Sequence, residues 1–165
     1  MAATDDLKHL IIEINGEIEH FGQIRNQVAE ANARLAPLIQ PAIYDLRSVA
    51  MLLTEIYLGA ENLMRRVAKR LGETLPSGEA WHQQLLAQFS RDVPDLRPAL
   101  FSPNTAAMLD EFRRFRHVTH HLYALEFDWE LMSRLLSQAD PLLAQVAADA
   151  ETFSTFLGAA SEEKP

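Results

Sequence analysis

Apolar side chains recur at seven-residue intervals through the first part of the chain, at Leu7, Ile14, Phe21, Val28 and Leu35. A second row runs through Leu10, Ile11, Ile18, Ile24 and Ala31. That spacing keeps one helix face apolar and packs it at a shallow angle against neighbouring helices. It predicts a long helix from about Asp5 to Ala36, with Thr4 as N-cap and Asp5 and Asp6 favourable in its first turn. Pro37 and Pro41 end it. The rhythm resumes from Pro41 to Leu71 through Leu46, Leu53, Ala60 and Val67, with Val49, Ile56, Leu63 and Leu71 between, and Gly72 suits the C′ position.

A loop with Pro76 and Gly78 leads to a short amphipathic stretch, Glu79 to about Arg91, carrying Trp81, Leu85, Leu86 and Phe89. Pro94 and Pro98 interrupt the chain again. Ser102-Pro103 reads as N-cap and first helical residue of a further helix whose apolar stripe is Met108, Phe112, Phe115, Thr119 and Leu122. Asp128 can cap a last helix through Leu131, Leu135 and Leu136. Asp140-Pro141 then either kinks that helix or caps a new one bearing Leu142, Val146, Ala150, Phe153 and Leu157. Nothing alternates in the manner of strands. The expected fold is all-α, an antiparallel up-and-down bundle of four to six helices. Residues 1–160 form its one domain, and residues 161–165 a polar, frayed tail.

Composition narrows the chemistry. The 165 residues are 48% hydrophobic and 23% charged, as in an ordinary globular domain with a real core. The absence of cysteine excludes disulfides, thiolate zinc sites and cysteine nucleophiles. Neither a leader-type N-terminus nor a membrane-length apolar run is evident, so the cytoplasm is the expected location and no membrane partner is expected. A net charge of -8 argues against coating nucleic acid over the whole surface. Positive charge is nevertheless concentrated, in Arg65, Arg66, Lys69 and Arg70 and in Arg113, Arg114 and Arg116. Such clusters either make local basic patches or lie on solvated faces paired with nearby Glu61 and Glu111.

The second cluster runs into Arg116-His117-Val118-Thr119-His120-His121-Leu122-Tyr123. Arginine offers a planar, permanently charged fork for phosphate, and histidine gives and takes protons near neutrality. At about 100° per residue, Arg116 and His121 lie about 140° apart on an ideal helix. A site using both needs a distorted helix end or a second copy of the chain. Arg116, His120 and Tyr123 share one stripe, and His117 and His121 share another, wetter one. Three readings compete: a solvated histidine-rich face, a metal site on His117 and His121, and metal-free phosphodiester cleavage. The metal reading lacks an evident third ligand unless Glu126 or Asp128 folds back, and the adjacent arginines repel a divalent cation. Phosphodiester cleavage explains why arginine and histidine occur together, so no metal or cofactor is expected.

The spacing Arg116-x4-His121-x-Tyr123 is similar to the Arg-x4-His-x-Tyr motif of HepT-type toxins in the HEPN group of helical ribonucleases. The polar His117 after the arginine, the run Phe115 to Tyr123 and the following Phe127-Asp128-Trp129-Glu130 resemble a HepT-like subfamily. The resemblance covers most of the chain. It implies a homodimer whose cleft joins both motifs and cuts RNA without metal, the ribose 2′-OH attacking the neighbouring phosphate. Arg116 then binds phosphate and stabilises the transition state, and His121 is the general acid/base, with His117 and His120 as accessory or alternative groups. Tyr123 is the residue that a partner nucleotidyltransferase antitoxin modifies with AMP. The runner-up is a non-catalytic helical interaction module using the same residues as a dimer or partner surface. Trp81 reads as packing, and His82 as a residue outside the catalytic set.

Overall fold

A computed structural model of the chain describes residues 4–119 and 127–162. Five helices form within them: α1 (Thr4–Leu35), α2 (Ile43–Leu71), α3 (Trp81–Phe89), α4 (Pro103–Thr119) and α5 (Trp129–Glu162). No strand occurs among the described residues, and the fold is the all-α bundle that the periodicity predicts. The first seven-residue row is the α1 core stripe, with Leu7, Ile14, Phe21, Val28 and Leu35 all buried. In the second row Leu10 and Ile24 are buried, while Ile11, Ile18 and Ala31 pack against the core from its margin. No helix among the described residues is long and apolar enough to cross a membrane.

Ion pairs between helices report their directions. The start of α1 meets the end of α2 through Asp6 and Glu13 on Arg70, and Arg34 near its end meets Asp45 near the start of α2. These helices are therefore antiparallel. Arg25 pairs with Asp140, and the Asn32 amide donates to the Leu136 carbonyl, which sets α5 antiparallel to α1. Thr105 donates to Asp149 and Glu111 pairs with Arg134, so α4 runs against α5. The four long helices make an up-down-up-down bundle, with the short α3 packed on α2 and α4.

Several expected caps form. The Thr105 N–H donates to Ser102 Oγ at 3.2 Å, the Leu131 N–H donates to Asp128 Oδ1 at 3.2 Å, and Gly72 takes the left-handed φ of 73°. The stretch expected over 79–91 is helical only from Trp81 to Phe89. Pro141 starts no new helix; α5 continues through it, and Asp140 reaches across to Arg25 at 2.8 Å instead of capping. Ser161 and Glu162, expected in the tail, close the last turn of α5. Ser161 Oγ donates back to the Gly158 carbonyl at 2.7 Å, which satisfies one of that turn's carbonyls.

Two close contacts fix α2 against its neighbours. A Cβ on Gly59 would lie 2.6 Å from Phe21 Cε1 and 3.2 Å from Glu17 Oε1, so the absence of a side chain lets α2 approach α1. Gly59→Ala gains roughly 1 kcal/mol of helix propensity. It forces the fully buried Phe21 ring to move, an overpacking cost of about 1–3 kcal/mol. The second effect wins, and Gly59→Ala is expected to melt at a lower temperature than wild type in a thermal denaturation. The other contact is Arg97, whose side chain is 0% exposed. Its guanidinium donates to both oxygens of Glu73 and to the carbonyls of Gln88, Arg91 and Pro98, over the face of Phe89. One side chain thus ties the segment between α3 and α4 to the end of α2.

Candidate functional site

Tyr57, Glu61, Met64 and Ala68 follow one another at helical spacing on the buried side of α2. A carboxylate in such a stripe requires partners, because an uncompensated buried charge is costly. Glu61 has two. Its Oε2 lies 2.6 Å from His82 Nδ1, at the start of α3, and 3.2 Å from an Arg116 terminal nitrogen, near the end of α4. The carboxylate side chain is 3% exposed. Arg116 and His82 are 19% and 26% exposed, so both also face the solvent side.

A 2.6 Å contact between a ring nitrogen and a carboxylate oxygen needs a proton, so Nδ1 of His82 carries it and donates to Glu61. Arg116 also donates to that oxygen. The 3.3 Å approach between Arg116 and Nδ1 is then two donors converging on one acceptor. The ring of His82 is fixed further by Trp81, stacked at a centroid distance of 3.6 Å, with the Arg65 guanidinium 5.9 Å from the Trp81 ring. Beneath, the Tyr57 hydroxyl donates to the His82 carbonyl at 3.2 Å, and its ring lies 5.9 Å from the Arg116 guanidinium. Burial, and next the nearby Glu61 charge, push the Tyr57 phenol far above its ordinary value, so it serves as a donor throughout the neutral range.

These groups open into a cavity of about 450 Å³ lined by Glu79, Ala80, His82, Gln83, Arg113, Arg116 and His117. Arg113 is held by Asp110 at 2.7 Å. A second cavity of similar volume lies between Leu7, Leu71, Phe156 and the 92–98 segment. It contains no imidazole, and its one cation, Arg97, is consumed by its own partners. Of these two cavities, among the described residues, the first combines a guanidinium able to grip an anion with imidazoles able to move protons. Among the described residues no three His, Asp or Glu side chains are grouped to hold a metal ion.

Of the residues expected in the site, Arg116 and His117 line this cavity. His120, His121 and Tyr123 lie outside the described residues, as does the tail end of the stripe at Leu122. Of the pairings that were one of two readings of the basic clusters, Arg116 with Glu61 forms, but it is buried and not on a solvated face. Glu61 is buried and binds His82 and Arg116, while Glu111 pairs across to Arg134. Arg66 reaches Glu17, Arg70 reaches Glu13, and Asp110 takes Arg113 and Arg114. His82, set aside in the sequence, stands beside Arg116. Its signal was indirect: a buried glutamate awaiting a partner, and an imidazole next to a tryptophan at a helix start.

The family described as HepT-like protein matches residues 48–157, about two thirds of the chain and most of α2 through α5. No curated protein and no solved structure matches.

Proposed function

Because the chain belongs to the HepT-like protein family, we propose that it is a metal-independent endoribonuclease, the toxin half of a toxin–antitoxin pair in the cytoplasm. The observation that carries the reading is the Arg116 guanidinium beside imidazoles in an open cavity. Glu61 uses one of the five N–H donors of Arg116 and orients the rest. Arg116 grips the phosphate and stabilises its transition-state charge, and His121 moves a proton, with His117 and His120 as accessory or alternative groups.

A homodimer completes the site in this reading. Tyr44, Met51 and Leu58 form an exposed row on α2 at seven-residue spacing, 75%, 67% and 38% accessible. Arg65, at the next step of that row, is the residue over Trp81, whose ring stacks on the cavity-lining His82. Such an apolar row suits a second α2. With the twofold axis along that row, the two Arg65 ends and their cavities come together, so that Arg116 of one copy can work with His121 of the other, which answers their angular separation on a straight helix. The test is complementation in EDTA. Arg116→Ala and His121→Ala are each inactive alone, and mixing them to form heterodimers restores one intact composite site. If both variants cleave RNA like wild type, the catalytic reading fails. If wild type cleaves but the mixture stays inactive, the shared cleft fails.

Tyr123 is the proposed target of a partner nucleotidyltransferase antitoxin. A bulky anionic AMP beside a phosphate-binding cleft opposes RNA by sterics and charge. Co-expression with such an enzyme is expected to add the mass of AMP to wild type and not to Tyr123→Phe, read by intact-mass spectrometry. Equal labelling of the two proteins assigns the modification elsewhere. The second reading is a non-catalytic interaction module, favoured by the engagement of Arg116 with buried Glu61. It predicts that Arg116→Ala weakens association and that no cleavage exists to lose.

A further inference from the structure

Cleavage through a 2′-OH needs two proton transfers, one from the attacking hydroxyl and one to the departing 5′-oxygen. The motif histidine accounts for one. We propose that His82 is the other: the general base that takes the 2′-OH proton, with Glu61 and Trp81 as its positioning residues. This rests on the ribonuclease reading above and extends it to a residue outside the Arg-x4-His-x-Tyr motif.

The tautomer decides the role. With Nδ1 donating to Glu61 at 2.6 Å, the neutral ring carries its lone pair on Nε2. A carboxylate behind an imidazole fixes its orientation and stabilises the imidazolium that forms when the ring accepts a proton. Trp81, stacked at 3.6 Å, denies the ring a second orientation, and Tyr57 anchors the backbone carbonyl of the same residue. His82 lines the cavity within reach of Arg116, so a phosphate on the guanidinium brings its neighbouring ribose to the imidazole. Glu61 and Arg116 both meet the ring at its Nδ1 edge while the residue lines an open cavity, a combination that packing alone does not call for.

The 2′-oxygen forms a bond to phosphorus as its proton passes to Nε2 of His82. The bond from phosphorus to the 5′-oxygen breaks, and that oxygen takes a proton from the imidazolium of His121. The products are a 2′,3′-cyclic phosphate and a 5′-hydroxyl, and exchange with water resets both rings. The groups facing His82 are Tyr57 and Glu61 from α2, Glu79 ahead of α3, and Arg113, Arg116 and His117 from α4.

Leaving-group chemistry separates base from acid. Wild type, His82→Ala, His82→Gln and His121→Ala are compared on RNA carrying one normal linkage or one 5′-bridging sulfur, which departs without protonation. His82→Ala is expected to lose about 100-fold or more in kcat on both substrates. His121→Ala loses similarly on normal RNA and recovers on the sulfur substrate. The acidic limb of the wild-type pH–rate profile disappears in both His82 variants, a change that a packing role would not produce. His82→Gln keeps a donor for Glu61, so its loss at a wild-type melting temperature separates chemistry from folding. If wild type cuts neither substrate, the ribonuclease reading fails and His82's role with it. If wild type cuts and His82→Gln matches it, or if sulfur rescues His82→Ala, the base assignment alone is overturned.

Discussion

Arg116→Ala is expected to abolish RNA cleavage, with a loss of at least about 100-fold in kcat at saturating RNA, as for removal of a preorganised donor to transition-state charge. The same change leaves buried Glu61 with His82 as its one remaining partner of the two, so some stability is lost as well. Arg116→Lys separates the two effects. An ammonium can still neutralise Glu61 but lacks the fork that holds a carboxylate and a phosphate at once. The expected outcome is a melting temperature close to wild type with cleavage still strongly impaired. Rates near wild type for the lysine variant would reduce Arg116 to a point charge, and unchanged cleavage by Arg116→Ala would remove it from the chemistry.

Arg97→Ala has the largest expected effect on stability, a loss of about 3–5 kcal/mol, as when one partner of a buried pair is removed. In a domain of this size that lowers the melting temperature by roughly 10 °C. The cause is specific: Glu73 keeps a charge with its main partner gone, and the carbonyls of Gln88, Arg91 and Pro98 lose a donor. Burial alone would raise the Glu73 carboxyl. The hydrogen bonds from Arg97 and Gln88, with the Arg97 charge, overcome that and hold it below its ordinary value of 4.5. A carboxyl with a depressed folded-state pKa stabilises the fold above its unfolded value and loses that contribution as pH falls through the folded value. Wild type is therefore expected to lose stability on acidification below about pH 4.5, and Arg97→Ala to lose less over the same interval. Thermal melts of both proteins from neutral pH into that range check size and sign together. Parallel curves would contradict the assignment.

The long helices were legible because their information is local. A seven-residue apolar row from Leu7 to Leu35 states both a helix and its buried face, and Ser102, Asp128 and Gly72 mark ends through bonds spanning only a few residues. Asp140-Pro141 was ambiguous because the deciding interaction, Arg25, comes from another helix. The same limit governed the site. Arg116 and His117 stood out as a dense local motif, whereas Glu61 and His82 become partners only when α2, α3 and α4 meet. Read alone, Glu61 looks like a surface partner for Arg65 four residues on, and His82 like a single histidine on a short helix. What betrayed Glu61 was its place in the buried row from Tyr57 to Ala68.

The most direct measurement is the fate of a defined RNA incubated with purified wild-type protein in EDTA, with product ends identified. Cleavage without added metal is expected, with fragments ending in 2′,3′-cyclic phosphate and beginning with 5′-hydroxyl, and no cleavage by Arg116→Ala prepared identically. Intact RNA, cleavage that EDTA stops, or 5′-phosphate ends would contradict the ribonuclease reading.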